Sequence, residues 1–259
     1  MKLVCDDART FLRGRERRFD VIVGDLVVPW RAGESALYTA EHFARARAAL
    51  APGGLFCQWL PAYQLTVEQF DSIAATFLDV FSRATLWRGD LVAALPTLGL
   101  IGHLADVDPA AVAASARSLA PKLDAASPYL VHPAGVWLDL IGVLDLSAPR
   151  FRAARRHSRD SPWLELSGPS HGRRGEAPVL TGAPLELLLA EVGATPLKGG
   201  PLAQLGPDEL AWRTAGCNLW RASTLALAGE EAKARELGMA TLSTLPAEIR
   251  DAVVGSVRR

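Results

Sequence analysis

The chain has 259 residues, 49% of them hydrophobic, which is enough to bury a substantial core, and its 28 basic residues balance 28 acidic ones. This neutral balance gives no electrostatic preference for nucleic acid, and no apolar run reaches the roughly 18–20 residues that a membrane span requires, so we predict neither a nucleic-acid partner nor a membrane span. The three cysteines form no CxxC pair, so we predict no disulfide framework and a cytoplasmic location with reduced thiols. The five histidines show neither HxxxH nor HExxH spacing, so we predict no metal site.

Strands are predicted first, within residues 1–105. Lys2–Cys5 is typical of a short strand. Asp20–Gly24 is a continuous apolar run, which is typical of a strand buried on both faces of a parallel sheet. Leu55–Leu60 is predicted to be the next strand.

Two helices between and after these strands carry capping signals. Thr39 can cap a helix that runs to Leu50, where Ala-Pro-Gly-Gly ends it. Thr66, followed three residues later by Gln69, has the spacing of a capping box for a second helix. Two later strands are predicted to form a hairpin, at Ala84–Trp87 and Leu98–Ile101.

The rest of the chain has a different character. Residues 106–150 are rich in Ala and Leu and are predicted to be helical, whereas Arg152–Pro178 is rich in Arg, Ser, Gly and Pro and predicts a long loop. Thr181–Gly193 and Leu210–Val254 are predicted to be helical. A stripe of mostly small residues in the last segment would suit close packing against another helix.

The alternation of strands and helices predicts an α/β fold, with ligands at the carboxyl ends of the strands. We divide the chain into an α/β domain at 1–105, a helical segment and loop at 106–180, and a helical C-terminal region at 181–259. Three polar residues, Asp7, Asp25 and Gln58, lie at or near strand ends and are the first candidates for a site.

Four short segments together resemble one enzyme family. They are residues 6–12 (DDARTFL), 19–25 (FDVIVGD), 37–39 (LYT) and 50–54 (LAPGG). In these segments the chain resembles the spermidine synthase family, which are polyamine aminopropyltransferases built on the methyltransferase-type Rossmann fold. Residues 24–34 and 56–61 look closest to a bacterial branch whose members are often fused to membrane helices.

The resemblance implies a reaction and a role for each candidate. The family transfers an aminopropyl group from decarboxylated S-adenosylmethionine, used as a co-substrate and not held permanently, to a small-molecule amine. The acid in the place of Asp7 accepts a hydrogen bond from the adenine amino group, and Asp25 matches the aspartate that receives the amine and can act as its base. Gln58 stands where the family places a polar residue beside the amine. Family members commonly dimerise, so a homodimer is possible.

Each candidate also has a structural interpretation. Asp25 could cap the turn that follows it, and Asp7 could be the N-cap of a short helix. Gln58 could have a structural role without contacting a substrate. Tyr38 is predicted to pack in the core or at the rim of the cavity, and Cys57 is predicted to be a small core residue.

Two departures from the family pattern leave it open whether the chain is an active enzyme. Val28 stands where classical members carry a second aspartate, which removes part of the attraction for a polyamine. No glycine-rich, nucleoside-binding loop precedes Lys2, so we predict a partial Rossmann fold that lacks its first strands, an N-terminally truncated protein and impaired transfer. The alternatives are an S-adenosylmethionine-dependent methyltransferase of the same fold and a non-catalytic interaction module.

Overall fold

The computed structural model describes residues 3–13, 18–122, 128–167 and 179–257. They form a mixed α/β structure with one five-stranded sheet and a helical C-terminal region. The predicted fold class is therefore confirmed, and the architecture agrees with a methyltransferase-type fold.

The sheet has the strand order β1-β2-β4-β3-β5. Its strands are β1 (Phe19–Gly24), β2 (Leu50–Pro61), β3 (Ala84–Arg88), β4 (Thr97–His103) and β5 (Leu140–Leu144). Strands β1 and β2 are parallel, so their carboxyl ends meet at one edge, where Gly24 lies opposite Gln58. This register places the two candidate polar residues of the strand ends next to each other.

The predicted hairpin is also present. Strands β3 and β4 are neighbours, and the N–H of Gly89 donates to the carbonyl of Thr97 while that of His103 donates to the carbonyl of Arg83. These two bonds pair the strands in opposite directions, as a hairpin requires.

The helices agree with most of the sequence predictions. They are α1 (Ala8–Arg13), α2 (Ala40–Ala49), α3 (Val67–Val80), α4 (Pro109–Leu119), α5 (Pro149–Ala153), α6 (Gly182–Ala194), α7 (Pro207–Leu227), α8 (Glu231–Ser243) and α9 (Ala247–Val257). Among the helices of the described ranges, none is both long enough and apolar enough to cross a membrane.

Both predicted helix caps form. The Thr39 hydroxyl accepts a hydrogen bond from the N–H of His42 at the start of α2. At the start of α3, the Thr66 hydroxyl accepts from the Gln69 N–H at 3.2 Å, and the Gln69 side chain accepts from the Thr66 N–H at 2.9 Å. These bonds satisfy helix donors that would otherwise lack an intrahelical partner.

Three local predictions are wrong. Residues 3–5 form no strand, and Leu3 is 88% exposed, because no strand of the described chain lies beside them; Lys2 is outside the described residues. Strand β1 is not buried on both faces, because it is an edge strand of the sheet in the described chain. The side chains of Val21 and Val23 are each more than half exposed. Leu140–Leu144 is a strand and not part of a helix, because it joins the sheet as β5. The predicted loop is also wrong in part, because residues 163–167 form a short helix, whereas residues 168–178 lie outside the described residues.

Contacts group the chain into two compact units. One comprises Met1–Ala84, Leu100–Ala105 and Leu144–Leu180, and the other comprises the three segments Thr85–Gly99, Asp106–Val143 and Thr181–Arg259. The division at residues 105 and 180 that we drew from the sequence stays a prediction.

The first unit has an aromatic core. Phe43 of α2, Phe56 of β2 and Phe77 of α3 pack with Phe81, with ring centroids 4.8 to 6.0 Å apart. All four rings are at most 2% exposed. This cluster fixes β2 against α2 and α3, and so provides a rigid support for the strand ends.

The second unit is built around α7. Ala215, Leu219 and Leu245 belong to its apolar cluster, and Gly216 approaches the carbonyl of Leu138 so closely that an added Cβ would lie 1.8 Å from it. The absence of a side chain at Gly216 therefore permits α7 to pack closely on this segment.

The second unit also buries polar groups. Arg88 donates to the carbonyls of Leu138 at 2.7 Å and Leu140 at 3.2 Å, and Tyr129 donates to Asp139. Burial raises the pKa of Asp139 to about 7.

Candidate functional site

The predicted residues Asp25 and Gln58 line one cavity of about 460 Å³ at the carboxyl ends of β1 and β2. Its remaining wall is mainly apolar and includes Phe11 and Leu12 of α1 and Phe56 of β2. A concave, mostly apolar pocket with a few polar groups at strand ends is the usual form of a small-molecule site in an α/β protein.

Gln58 is a buried residue, 1% exposed, that joins the two strand ends. Its amide nitrogen donates to the carbonyls of Asp25 at 3.3 Å and Trp59 at 3.1 Å. Its amide oxygen is buried and has no partner among the described residues. A Cβ on Gly24 would lie 2.4 Å from this oxygen, so any larger residue there would force the Gln58 amide to move. Gln58 therefore has a structural role, and the acceptor atom of its amide is buried without a hydrogen bond in the described part of the chain.

The Asp25 carboxylate is exposed at the mouth of the cavity. Its Oδ1 atom accepts from the N–H of Leu26 at 2.7 Å, which is the local turn contact expected of a strand-end aspartate. Its Oδ2 atom has no protein partner within the described ranges, so it can accept a hydrogen bond from a ligand.

The loop after Asp25 is held in place by two side chains. Buried Tyr38 donates its hydroxyl to the carbonyl of Val27 at 2.9 Å, and the Glu34 carboxylate accepts from the N–H of Val28 at 2.8 Å. The Arg31 guanidinium, which bonds Glu34 at 2.9 Å, lowers the pKa of Glu34. Glu34 and Tyr38 therefore fix the backbone that follows the candidate acid.

His42 is a residue of this cavity that the sequence analysis did not select. It lies on α2 and is 5% exposed, and its Nδ1 atom is buried with no hydrogen-bond partner in the part of the chain that the structure describes. Burial, reinforced by Arg45 and Arg9, lowers the pKa of His42 to about 4, so the ring is neutral at pH 7. Its place beside Phe43 on the buried stripe of α2 was the signal that could have identified it.

Asp7 lines a different cavity, of about 240 Å³, and is not brought together with Asp25 and Gln58. Its Oδ1 atom accepts from the N–H groups of Arg9 at 2.9 Å and Thr10 at 3.2 Å, so Asp7 caps α1. Its carboxylate also pairs with the Arg9 guanidinium at 2.7 Å, which holds the pKa of Asp7 well below its usual range.

His157, in the loop that follows α5, is a structural residue. It is fully buried, its N–H donates to the Thr76 hydroxyl at 2.9 Å, and its Nδ1 atom accepts from the N–H of Leu164. With Nδ1 accepting, Nε2 carries the proton and donates to the carbonyl of Ser35 at 3.0 Å. These hydrogen bonds hold the loop of His157 against α3 and against the turn before α2.

Cys57 is a core residue, as predicted. It is 7% exposed, next to Gln58 on β2, and burial raises the pKa of its thiol to about 12. Across the described ranges, no three His, Cys, Asp or Glu side chains form a group that could hold a metal ion.

The family model of the spermine/spermidine synthase domain matches residues 1–100. This stretch is spermidine synthase-like. It contains α1, β1 and β2, and so the whole of the cavity that Asp25 and Gln58 share. A comparison with curated proteins finds none that matches the chain. The synthase-like domain therefore rests on the family match and on the strand-end geometry together.

Proposed function

We propose that the spermidine synthase-like domain binds a small-molecule amine and transfers to it an aminopropyl group from decarboxylated S-adenosylmethionine. The observation that carries this proposal is the Asp25 carboxylate, which stands at the end of β1 with one oxygen unpartnered, in a cavity that it shares with Gln58. The match of residues 1–100 to the spermine/spermidine synthase domain supports the reaction type.

The proposed chemistry needs a base. An alkylamine has a pKa of about 10, close to that of lysine, and is mostly protonated at neutral pH. Asp25 binds the ammonium group and accepts one of its protons as the nitrogen attacks the methylene carbon next to the sulfonium sulfur. The new N–C bond forms as the C–S bond breaks, and the electron pair of that bond stays on sulfur, so the nucleoside leaves as a neutral thioether.

The other wall of the cavity suits the nucleoside. It is apolar except for two buried atoms without a protein partner, the amide oxygen of Gln58 and Nδ1 of His42. Both are uncharged groups, and a heterocycle could hydrogen-bond to them after a small movement of the side chains that cover them. Asp7 remains the proposed acceptor for the adenine amino group, although the Arg9 guanidinium already occupies part of its carboxylate.

We propose that transfer by this chain is weak. The cavity contains a single carboxylate, Asp25, and Val28 takes the place of a second acid, so little negative charge offsets the repulsion between two cationic substrates. Val21 and Val23, which also line the cavity, are 53% and 58% exposed, so water reaches the site from the margin of the sheet.

The decisive experiment compares two isosteric substitutions on one strand. Asp25→Asn removes the proposed base, whereas Asp20→Asn changes an exposed aspartate outside the cavity. Each protein is incubated with 1,4-diaminobutane and either decarboxylated or intact S-adenosylmethionine, and mass spectrometry identifies the group added to the amine. We expect slow aminopropyl transfer by the wild type and by Asp20→Asn, and a loss of at least about 100-fold in Asp25→Asn.

Other outcomes would reject the proposal. Transfer of a methyl group from intact S-adenosylmethionine would favour a methyltransferase. No transfer with either donor, combined with no binding of either donor by calorimetry, would favour a non-catalytic interaction module.

A further inference from the structure

The cavity of about 240 Å³ beside α1 is strongly basic. Four arginines line it, Arg9, Arg13, Arg45 and Arg159, against a single acid, Asp7. They come from three separate parts of the sequence, α1, α2 and the loop that follows His157. The fold therefore collects positive charge at one place in a chain whose net charge is zero.

Among the described residues, three of these guanidinium groups have no acidic partner. Arg9 is held by Asp7, whereas the side chains of Arg13, Arg45 and Arg159 make no ion pair within the described part of the chain. Like charges held around one cavity repel each other, and this repulsion destabilises the fold unless an anion offsets it.

The backbone at two of these arginines is held in position. The backbone N–H of Arg159 donates to both carboxylate oxygens of Glu41 at 3.2 and 3.3 Å, and buried His157 fastens the same loop. Arg45 lies on the helix whose N-terminus is capped by Thr39, another residue of the cavity. That helix end adds partial positive charge to the same place.

We propose that this cavity is a binding site for a phosphate group, either free or borne by a small phosphate ester. Guanidinium groups bind phosphate oxygens through paired, charge-assisted hydrogen bonds, and several of them around one cavity match an anion that carries two charges and several acceptors. The volume exceeds that of a bare phosphate and leaves room for a small organic substituent. Its lining residues differ from those of the cavity of Asp25, and the only residue that it shares with the proposed transfer site is Asp7, the proposed acceptor for the adenine amino group. The phosphate site does not require the transfer reaction.

The test is calorimetric titration of the full chain with inorganic phosphate and, separately, with glycerol 3-phosphate at low ionic strength. We expect the wild type to bind at least one of them, and the double variant Arg45→Gln/Arg159→Gln to bind at least about tenfold more weakly. Arg117→Gln, which removes an exposed arginine on α4, should bind as the wild type does. Tighter binding of the ester would support a phosphorylated small molecule as the natural ligand, and tighter binding of inorganic phosphate would support the free anion.

The proposal is overturned if the wild type binds neither probe, or if Arg117→Gln weakens binding as much as the double variant does. The variant Arg45→Lys/Arg159→Lys keeps the positive charges but loses the paired N–H donors of the planar guanidinium groups. Its affinity for phosphate should therefore lie between those of the wild type and the glutamine variant. This variant also keeps the test valid if the glutamine variant fails to fold.

Discussion

The side-chain amide of Gln58 donates a 3.3 Å hydrogen bond to the main-chain carbonyl of Asp25, which ties the end of β1 to the neighbouring strand β2. Because β1 is a margin of the sheet within the described residues, this bond holds the strand end that carries the proposed base. The position of Asp25 therefore depends on a residue that need not touch the amine itself.

Gly24→Ala should disturb this arrangement. The added methyl group would lie 2.4 Å from the Gln58 amide oxygen, so we expect the free energy of unfolding to fall by about 1–3 kcal/mol and amine binding to weaken. Urea denaturation of Gly24→Ala, Gln58→Ala and the double variant gives the unfolding free energy of each. These values show whether the effects of the two positions depend on each other. The double variant should lose at least about 1 kcal/mol less than the sum of the single losses, because the clash needs both groups. Additive losses would contradict this explanation.

His42→Phe should reduce the sensitivity of the protein to acid. The pKa of His42 is about 4 in the folded chain and about 6.5 when unfolded, so protonation favours the unfolded state. Its contribution to stability is constant above pH 6.5 and is lost as the pH falls toward 4. We expect the loss of unfolding free energy between pH 7 and pH 4.5 to be smaller in His42→Phe by on the order of 2 kcal/mol.

The matched control is Phe43→Leu, on the same helix and buried in the same core. It should lower the unfolding free energy at both pH values without changing the difference between them. An unchanged pH dependence in His42→Phe would show that this histidine does not titrate as the structure indicates.

Two glycines of the C-terminal helices should respond in opposite ways to alanine. In Gly216→Ala the new methyl group would meet the backbone carbonyl of Leu138 at 1.8 Å, and we expect a loss of about 3 kcal/mol or more. In Gly238→Ala the nearest atom, Cβ of Ala222, is 3.8 Å away, so the better helix propensity of alanine should add up to about 1 kcal/mol. Thermal unfolding of both variants measures the difference, and equal effects would refute the close approach of α7 to Leu138.

Features determined by neighbouring residues could be predicted from the sequence. The caps at Thr39 and Thr66 were correct because the cap and its partner are only three residues apart. The burial of β1 was predicted wrongly, because it depends on which strands lie beside it, and a run of valines does not contain that information.

In the candidate site, too, some features could be predicted from the sequence and others depend on tertiary contacts. Parallel strands bring their carboxyl ends together, so the proximity of Asp25 and Gln58 could be expected. The basic cavity could not be expected, since Arg159 reaches Arg9 and Arg45 only through the tertiary fold. The role of His157 depends on contacts with Ser35 and Thr76, more than 80 residues away in the sequence, for the same reason.

Cys57 gives this protein an intrinsic reporter of sheet opening. Its thiol is buried beside Gln58 and its raised pKa keeps it protonated at pH 8, while Cys5 is exposed. Thiolates, not thiols, react with alkylating reagents, so iodoacetamide labels Cys57 only when β2 leaves its neighbours. The labelling rate of this one cysteine, read by peptide mapping, therefore follows local opening at the strand that supports Asp25, and a ligand in the adjoining cavity would slow it.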